Sequence, residues 1–241
     1  MNVIINSIYF YLRNLMQNLI NDFNKLINEN QNMPLPIGYF YSSLAFCLTD
    51  AIFSINVKYK GVENTINYIS KKLGIDISRK NSNEMSIKEF LQVLNNYGDE
   101  ELAFSFFGNK QRTSTTNGIT KALAVKQACK ILLDHKINCF ADVNKEKLDK
   151  AELDFVKIKG QKSGISYKYF CMLAGDENLI KPDRMICRFI AKSLDMQKEP
   201  SPSEAEKIFR EAFASISESH PKITPRFLDY LVWDFQRKVK K

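Results

Sequence analysis

The chain has 241 residues, 44% of them hydrophobic, and a formal charge of +8 from 35 Lys+Arg against 27 Asp+Glu. That is enough for a sizeable core, as one large domain or two small lobes, and the excess of base points to a polyanionic partner, nucleic acid first, with solubility as the plainer account. The five cysteines (Cys47, Cys129, Cys139, Cys171 and Cys187) are scattered, odd in number and without a Cys-x-x-Cys pair, which suits reduced thiols in the cytoplasm and disfavours a disulfide framework.

The opening segment, MNVIINSIYFYLRNLMQ, is apolar but broken by Asn and by Arg13, so it reads neither as a signal peptide nor as a membrane span. Ile8, Leu12, Leu15, Leu19, Phe23, Leu26 and Ile27 fall on one helical face and predict a long amphipathic helix. Pro34 and Pro36 then force an extended link. From Tyr39 to Ser54 the sequence is apolar nearly all round, which predicts a buried central helix with Asp50 inside it. A buried acid needs a partner or a cleft, so Asp50 is read either as a pocket-lining carboxylate or as a paired structural acid.

Further helices are expected over 62–73, 86–97, 119–134 and 146–156. In the second, Ser86 and Glu89 are spaced as a capping box. In the third, Ala122, Val125, Ala128 and Leu132 are spaced for burial. Residues 74–84 form a polar loop. Residues 107–118 combine amide, guanidinium and hydroxyl groups, with Gln111 and Arg112 among them. Such groups bond phosphate oxygens or base edges; a plain surface loop is the alternative. Beyond residue 183 a helix is expected over 185–194, another starting at Ser203, and a last one opened by Pro225 that carries Trp233 as a core residue. The tail through Lys240 and Lys241 is expected to fray. The fold class is therefore all-α.

The stretch from Val156 to Phe189 organises the reading. A lysine-rich turn holds Gly160 and Gly164, four apart, and leads into a helix. Glycine lets backbone amides approach a ligand closely, and a helix N-terminus presents unpaired N–H groups, so the turn suits a phosphate. Lys181-Pro182-Asp183 follows. Pro182 suits the first turn of a helix, and Asp183 is a carboxylate at that helix's positive end.

Ile158-Lys159-Gly160-Gln161-Lys162-Ser163-Gly164, together with Asp183, Ile186 and Arg188 in Pro-Asp-x-x-Ile-x-Arg, resembles the helix–hairpin–helix DNA glycosylase superfamily. Its hairpin has the form Leu-Pro-Gly-Val-Gly-x-Lys-Thr-Ala. Ile158 stands for the leucine, Lys159 for the proline and Gly160 for the first glycine, while Lys162 replaces the second glycine. Gly164 falls where bifunctional members keep a lysine. Phe53-Ser54-Ile55-Asn56-Val57-Lys58-Tyr59-Lys60-Gly61-Val62 is similar to the family's Leu-Ser-Gln-Asn-Thr-x-Trp-x-x-Val, with Ile55 and Val57 departing from it.

The resemblance implies two helical lobes with a DNA-binding cleft between them, one built from 1–58 and 176–241 and the other from 59–175, and Asp183 at the junction. It implies a monofunctional hydrolase that cleaves the N-glycosidic bond of a flipped, modified or damaged base and leaves an abasic site. Asp183 would stabilise the cationic sugar and orient water. Gly160, Lys162, Ser163, Gly164 and Ser166, with Gln111 and Arg112, would bind DNA. Tyr39, Asp50 and Asn56 would line the base pocket. Some glycosylases of this general kind act in anti-phage defence on modified cytosines such as glucosylated hydroxymethylcytosine, a role carried here as an expectation. No cofactor is expected: Cys187 alone follows Asp183, which is too few for an iron–sulfur cluster, and two distant histidines, His135 and His220, do not make a zinc site. The expected partner is double-stranded DNA and not a membrane, and the chain is expected to be a monomer. A non-catalytic helix–hairpin–helix clamp on DNA is the alternative, and a helical interaction protein unrelated to DNA is a third reading.

Overall fold

The computed structural model describes residues 2–30, 33–35, 37–79 and 84–239, with side chains described from Leu15 onward except at positions 37 and 38. Ile8, Leu12, Pro36 and the Lys240-Lys241 tail lie outside these described residues or side chains. In chain order the helices are α1 (Asn2–Glu29), α2 (Leu44–Phe53), α3 (Tyr59–Leu73), α4 (Ile87–Asn95), a short α5 (Asp99–Glu101), α6 (Lys121–Asp134), α7 (Lys145–Phe155), α8 (Ile165–Ala174), α9 (Arg184–Ser193), α10 (Pro202–Ile216) and α11 (Pro225–Val239). A 3-10 turn (Ile37–Phe40) precedes α2, and a π-helical turn (Leu102–Phe106) continues α5. Among the described residues no strand occurs, so the protein is all-α. None of the described helices is long and apolar enough to cross a membrane.

The chain divides into two compact units, Met1–Leu35 with Glu177–Lys241, and Pro36–Asp176. The second is built around α2. All ten of its residues are buried, as its all-round apolar composition requires, and α8, α6 and α3 pack against it. Ala122, Val125, Ala128 and Leu132 of α6 are fully buried, as their spacing indicates. Phe107 stacks on Phe53 with ring centroids 5.3 Å apart and meets Phe106 edge-on at 5.1 Å. The boundary expected at residue 58 therefore falls at residue 35: a helix with no polar face joins the core that can surround it. That helix starts at Leu44, not Tyr39, because the chain turns at 37–40 before Ser43 opens it.

In the first unit, Leu19, Phe23, Leu26 and Ile27 of α1 are buried. Phe23 stacks on Phe189 of α9 at 5.9 Å and meets Phe209 of α10 at 5.0 Å. Truncating such a ring typically costs about 3–5 kcal/mol. Two details differ from the sequence expectation. Helix α10 is capped by Ser201, not Ser203, through a full capping box with Glu204. Trp233 is half-buried, with the Arg237 guanidinium 4.6 Å from its ring centroid. Leu228, Leu231 and Val232 take the buried face of α11 in its place.

Candidate functional site

Helices α7 and α8 are joined by a turn of nine residues, 156–164, whose conformation follows from its residues. Ile158, Gln161 and Gly164 are buried, while Lys157, Lys159, Gly160, Lys162 and Ser163 are exposed. Gly160 (φ +86°) and Gly164 (φ +69°) both occupy the left-handed region, where a Cβ is penalised. The Gly164 N–H donates to the Gln161 carbonyl at 3.0 Å, so this amide closes the turn and is not offered to a ligand. Among the described residues the Gly160 and Lys162 amides donate to no acceptor. Ser166 departs from its expected role. It is 2% exposed and its hydroxyl donates to Oε1 of buried Gln161, so it braces the turn from inside.

The structure brings the polar loop onto this turn. A Cβ at Gly160 would lie 2.5 Å from both Cβ and Oγ1 of Thr113. Gly160 is thus required twice, by its backbone angle and by the loop pressed against it. The Thr113 hydroxyl is buried there with no hydrogen-bond partner among the described residues. The loop folds on itself: Thr113 N–H donates to the Ile119 carbonyl at 2.9 Å, Lys121 N–H donates to the Gln111 carbonyl at 2.8 Å, and the Arg112 guanidinium donates to the Gly118 carbonyl. Gln111 and Arg112 remain exposed. Buried Lys121 anchors the loop to the core. Its Nζ donates to the carbonyls of Phe53 at 2.9 Å and Ile55 at 2.7 Å, where α2 ends. A cation there also meets the negative end of the helix.

Asp183 belongs to the other unit. It is the N-cap of α9: Oδ1 accepts from Met185 N–H at 2.7 Å and from Ile186 N–H at 3.4 Å. Pro182 consequently sits just outside the helix and not in its first turn. Asp183 is half-buried, and its Oδ2 has no hydrogen-bond partner among the described residues. Ile186 is buried, and Arg188 pairs with Glu199 at 3.4 Å. The sequence reading missed Asp229 of α11. This acid is 5% exposed and accepts from Lys181 N–H at 3.0 Å, which fixes the turn leading into Asp183. Burial first, and the charge of Asp183 second, push its carboxyl well above the usual carboxylate range. One signal was available: Asp229 shares a helical face with Val232.

Asp50 is fully buried and is no accessible pocket lining. Its Oδ2 accepts from the Tyr41 hydroxyl at 2.8 Å and the Tyr59 hydroxyl at 3.0 Å. Burial, then the charge of Asp50, hold the Tyr41, Tyr59 and Tyr169 phenols well above their ordinary range. Tyr39 is buried beside this group. Asn56 is exposed, in a left-handed turn after α2 (φ +58°), outside the buried group. Tyr39, Asp50 and Asn56 therefore do not line one open pocket, because a helix without a polar face carries its acid inward, where phenols donate to it. An open groove of the same unit, lined by Ile75, Met85 and Val93 with Glu84 and Glu89, contains none of the expected site residues. Its two acids disfavour a polyanion.

The protein is all-α, with a glycine turn and a polar loop pressed together in one unit and a capped acid in the other. Residues 17–237 match the family described as Domain of unknown function (DUF8548), and the chain belongs to that family. No curated protein and no solved structure matches it.

Proposed function

We propose that the protein is a monofunctional DNA glycosylase, acting on a modified or damaged base in double-stranded DNA. The observation that carries the catalytic part is Asp183. One carboxylate oxygen is fixed by two helix amides, which removes its freedom, and the other has no partner. A rigid acid with one uncommitted oxygen suits stabilising positive charge that develops on a sugar carbon, without reorganising during the step. The turn between α7 and α8 supports the DNA part, as a helix–hairpin–helix element. Its Gly160 and Lys162 amides and the exposed Lys162 and Ser163 would take backbone phosphates, and Gln111 and Arg112 lie on the loop that abuts it. Gly164 stands where a Schiff-base lysine would be needed, which favours hydrolysis without lyase chemistry. Action on modified viral cytosines belongs to the same reading as its narrower form.

A specific observation favours a second reading. The two amides on Asp183 account for the residue as a helix cap, worth about 1 kcal/mol to stability, and a DNA clamp without chemistry needs no more. Incubation with a panel of modified duplexes, scored for abasic sites, separates the two. Asp183→Asn keeps the capping oxygen and removes the charge, so base release in single turnover should fall on the order of a hundredfold or more, about 3 kcal/mol, with duplex affinity little changed. Base release at the wild-type rate by this variant would refute the role given to Asp183, and no release from any duplex by the wild type would leave the clamp.

A further inference from the structure

Two exposed rings border one turn. Phe104 is 64% exposed and Tyr68 46% exposed. Phe104 lies in the π-helical turn, where its neighbours Leu102, Ala103, Phe106 and Phe107 are all buried. The wider turn, closed by Phe107 N–H donating to the Leu102 carbonyl at 3.0 Å, sends one large apolar ring outward among four apolar residues that are buried. Such π-helical turns recur at functional positions. Tyr68 of α3 borders the same turn. Its hydroxyl donates to the Ser105 carbonyl at 3.3 Å, and its ring lies where a Cβ on Gly108 would come within 3.3 Å. Tyr68 is thus tied to the backbone of the turn through its hydroxyl.

Their surroundings are basic on one side. Lys110 Nζ sits 4.6 Å from the Phe104 ring centroid, over one face, and Lys72 Nζ donates to the Ser105 carbonyl. Three residues past Lys110, Thr113 presses on Gly160. Phe104, Lys110 and Thr113 therefore follow one another along one segment, which ends against the glycine turn. On the other side Asp99, Glu100 and Glu101 of α5 are exposed, which bars a polyanion from running over that helix.

We propose that Phe104, with Tyr68, is a stacking platform for an unpaired nucleobase of the DNA whose phosphates meet the loop pair, a proposal that rests on the DNA-binding reading above. Aromatic faces stack any base, and flanking amines take the adjoining phosphates. The acids of α5 set the direction: the strand runs from the ring toward Lys110, Arg112 and the glycine turn.

The test compares wild type, Phe104→Ala, Phe104→Leu and Lys162→Glu on two probes: a duplex with a short unpaired stretch containing 2-aminopurine, and the same duplex fully paired. Wild type should bind the interrupted duplex more tightly and change the 2-aminopurine fluorescence. Phe104→Ala and Phe104→Leu should both lose on the order of tenfold in affinity for the interrupted duplex, lose the fluorescence change, and bind the paired duplex as wild type does. Leucine keeps apolar bulk without a π face and guards against a folding defect. Lys162→Glu should weaken both probes. Unchanged binding of the interrupted duplex by the Phe104 variants, with Lys162→Glu weak on both, overturns the platform and leaves the hairpin reading standing, as does an equal loss on both probes by the Phe104 variants. No binding of either probe by wild type overturns both.

Discussion

At the residue scale, the glycines and the acids carry separate consequences. Gly160→Ala meets a left-handed backbone angle and the Cβ of Thr113 at 2.5 Å, so it should destabilise by about 1–3 kcal/mol from the backbone alone and more from the contact. At Gly164 a Cβ would meet only the end of the Glu152 side chain, at 3.3 Å, so Gly164→Ala should cost only the backbone part. Chemical denaturation of the two variants ranks them; equal losses would mean that the Thr113 contact yields freely. Asp229 makes a pH prediction. Its folded pKa is raised, so its contribution to stability is complete below the unfolded value, about 3.9, and is lost as pH rises through the folded value. Asp229→Asn still accepts the Lys181 N–H and never ionises. Its melting temperature should match wild type near pH 4 and exceed it increasingly toward pH 7, and a gap that does not change with pH would refute this. Gly160 and Gly164 were legible as a turn because two glycines four apart mark one, but their left-handed angles were not read. The Thr113 contact and the Asp229 brace were not, because each joins positions far apart in sequence.

At the element scale, the helices were legible wherever a polar and an apolar face alternate, as in α1, α6 and α11, and wherever a cap announces the start. Ser86 with Glu89 closes its capping box as spaced. Ser201-Pro202-Ser203-Glu204 offers two serines, and sequence alone favoured the wrong one. Pro202 decides between them: its fixed φ and missing N–H fit the first helical position, which makes Ser201 the cap. Ser201→Ala should therefore cost about 1 kcal/mol and Ser203→Ala close to nothing, as read from thermal melts. The 3-10 turn before α2 and the π-helical turn after α5 escaped notice because both are short departures inside apolar runs, where periodicity carries no information.

At the scale of the whole molecule, a net charge of +8 says that a polyanion is welcome but not where. The structure sets exposed lysines on the glycine turn and acids along the groove and α5. Affinity for duplex DNA should fall steeply with salt, by roughly one log unit per log of salt for each phosphate contacted, and a salt-independent affinity would refute a phosphate-based interface. The division into two units was legible in outline only through the family resemblance, and residues 36–58 fall in the other unit because α2 has no face to give to water. Lys121 gives that second unit an internal timer. Its amine is 3% exposed and tied to two carbonyls at the end of α2, whereas lysines such as Lys60, Lys110 and Lys162 stand in water. An acylating reagent followed by peptide mass spectrometry should modify the exposed amines at once and Lys121 only when its surroundings open. The rate at that single amine then reads how often α2 lets go of the polar loop, in native buffer and without denaturant.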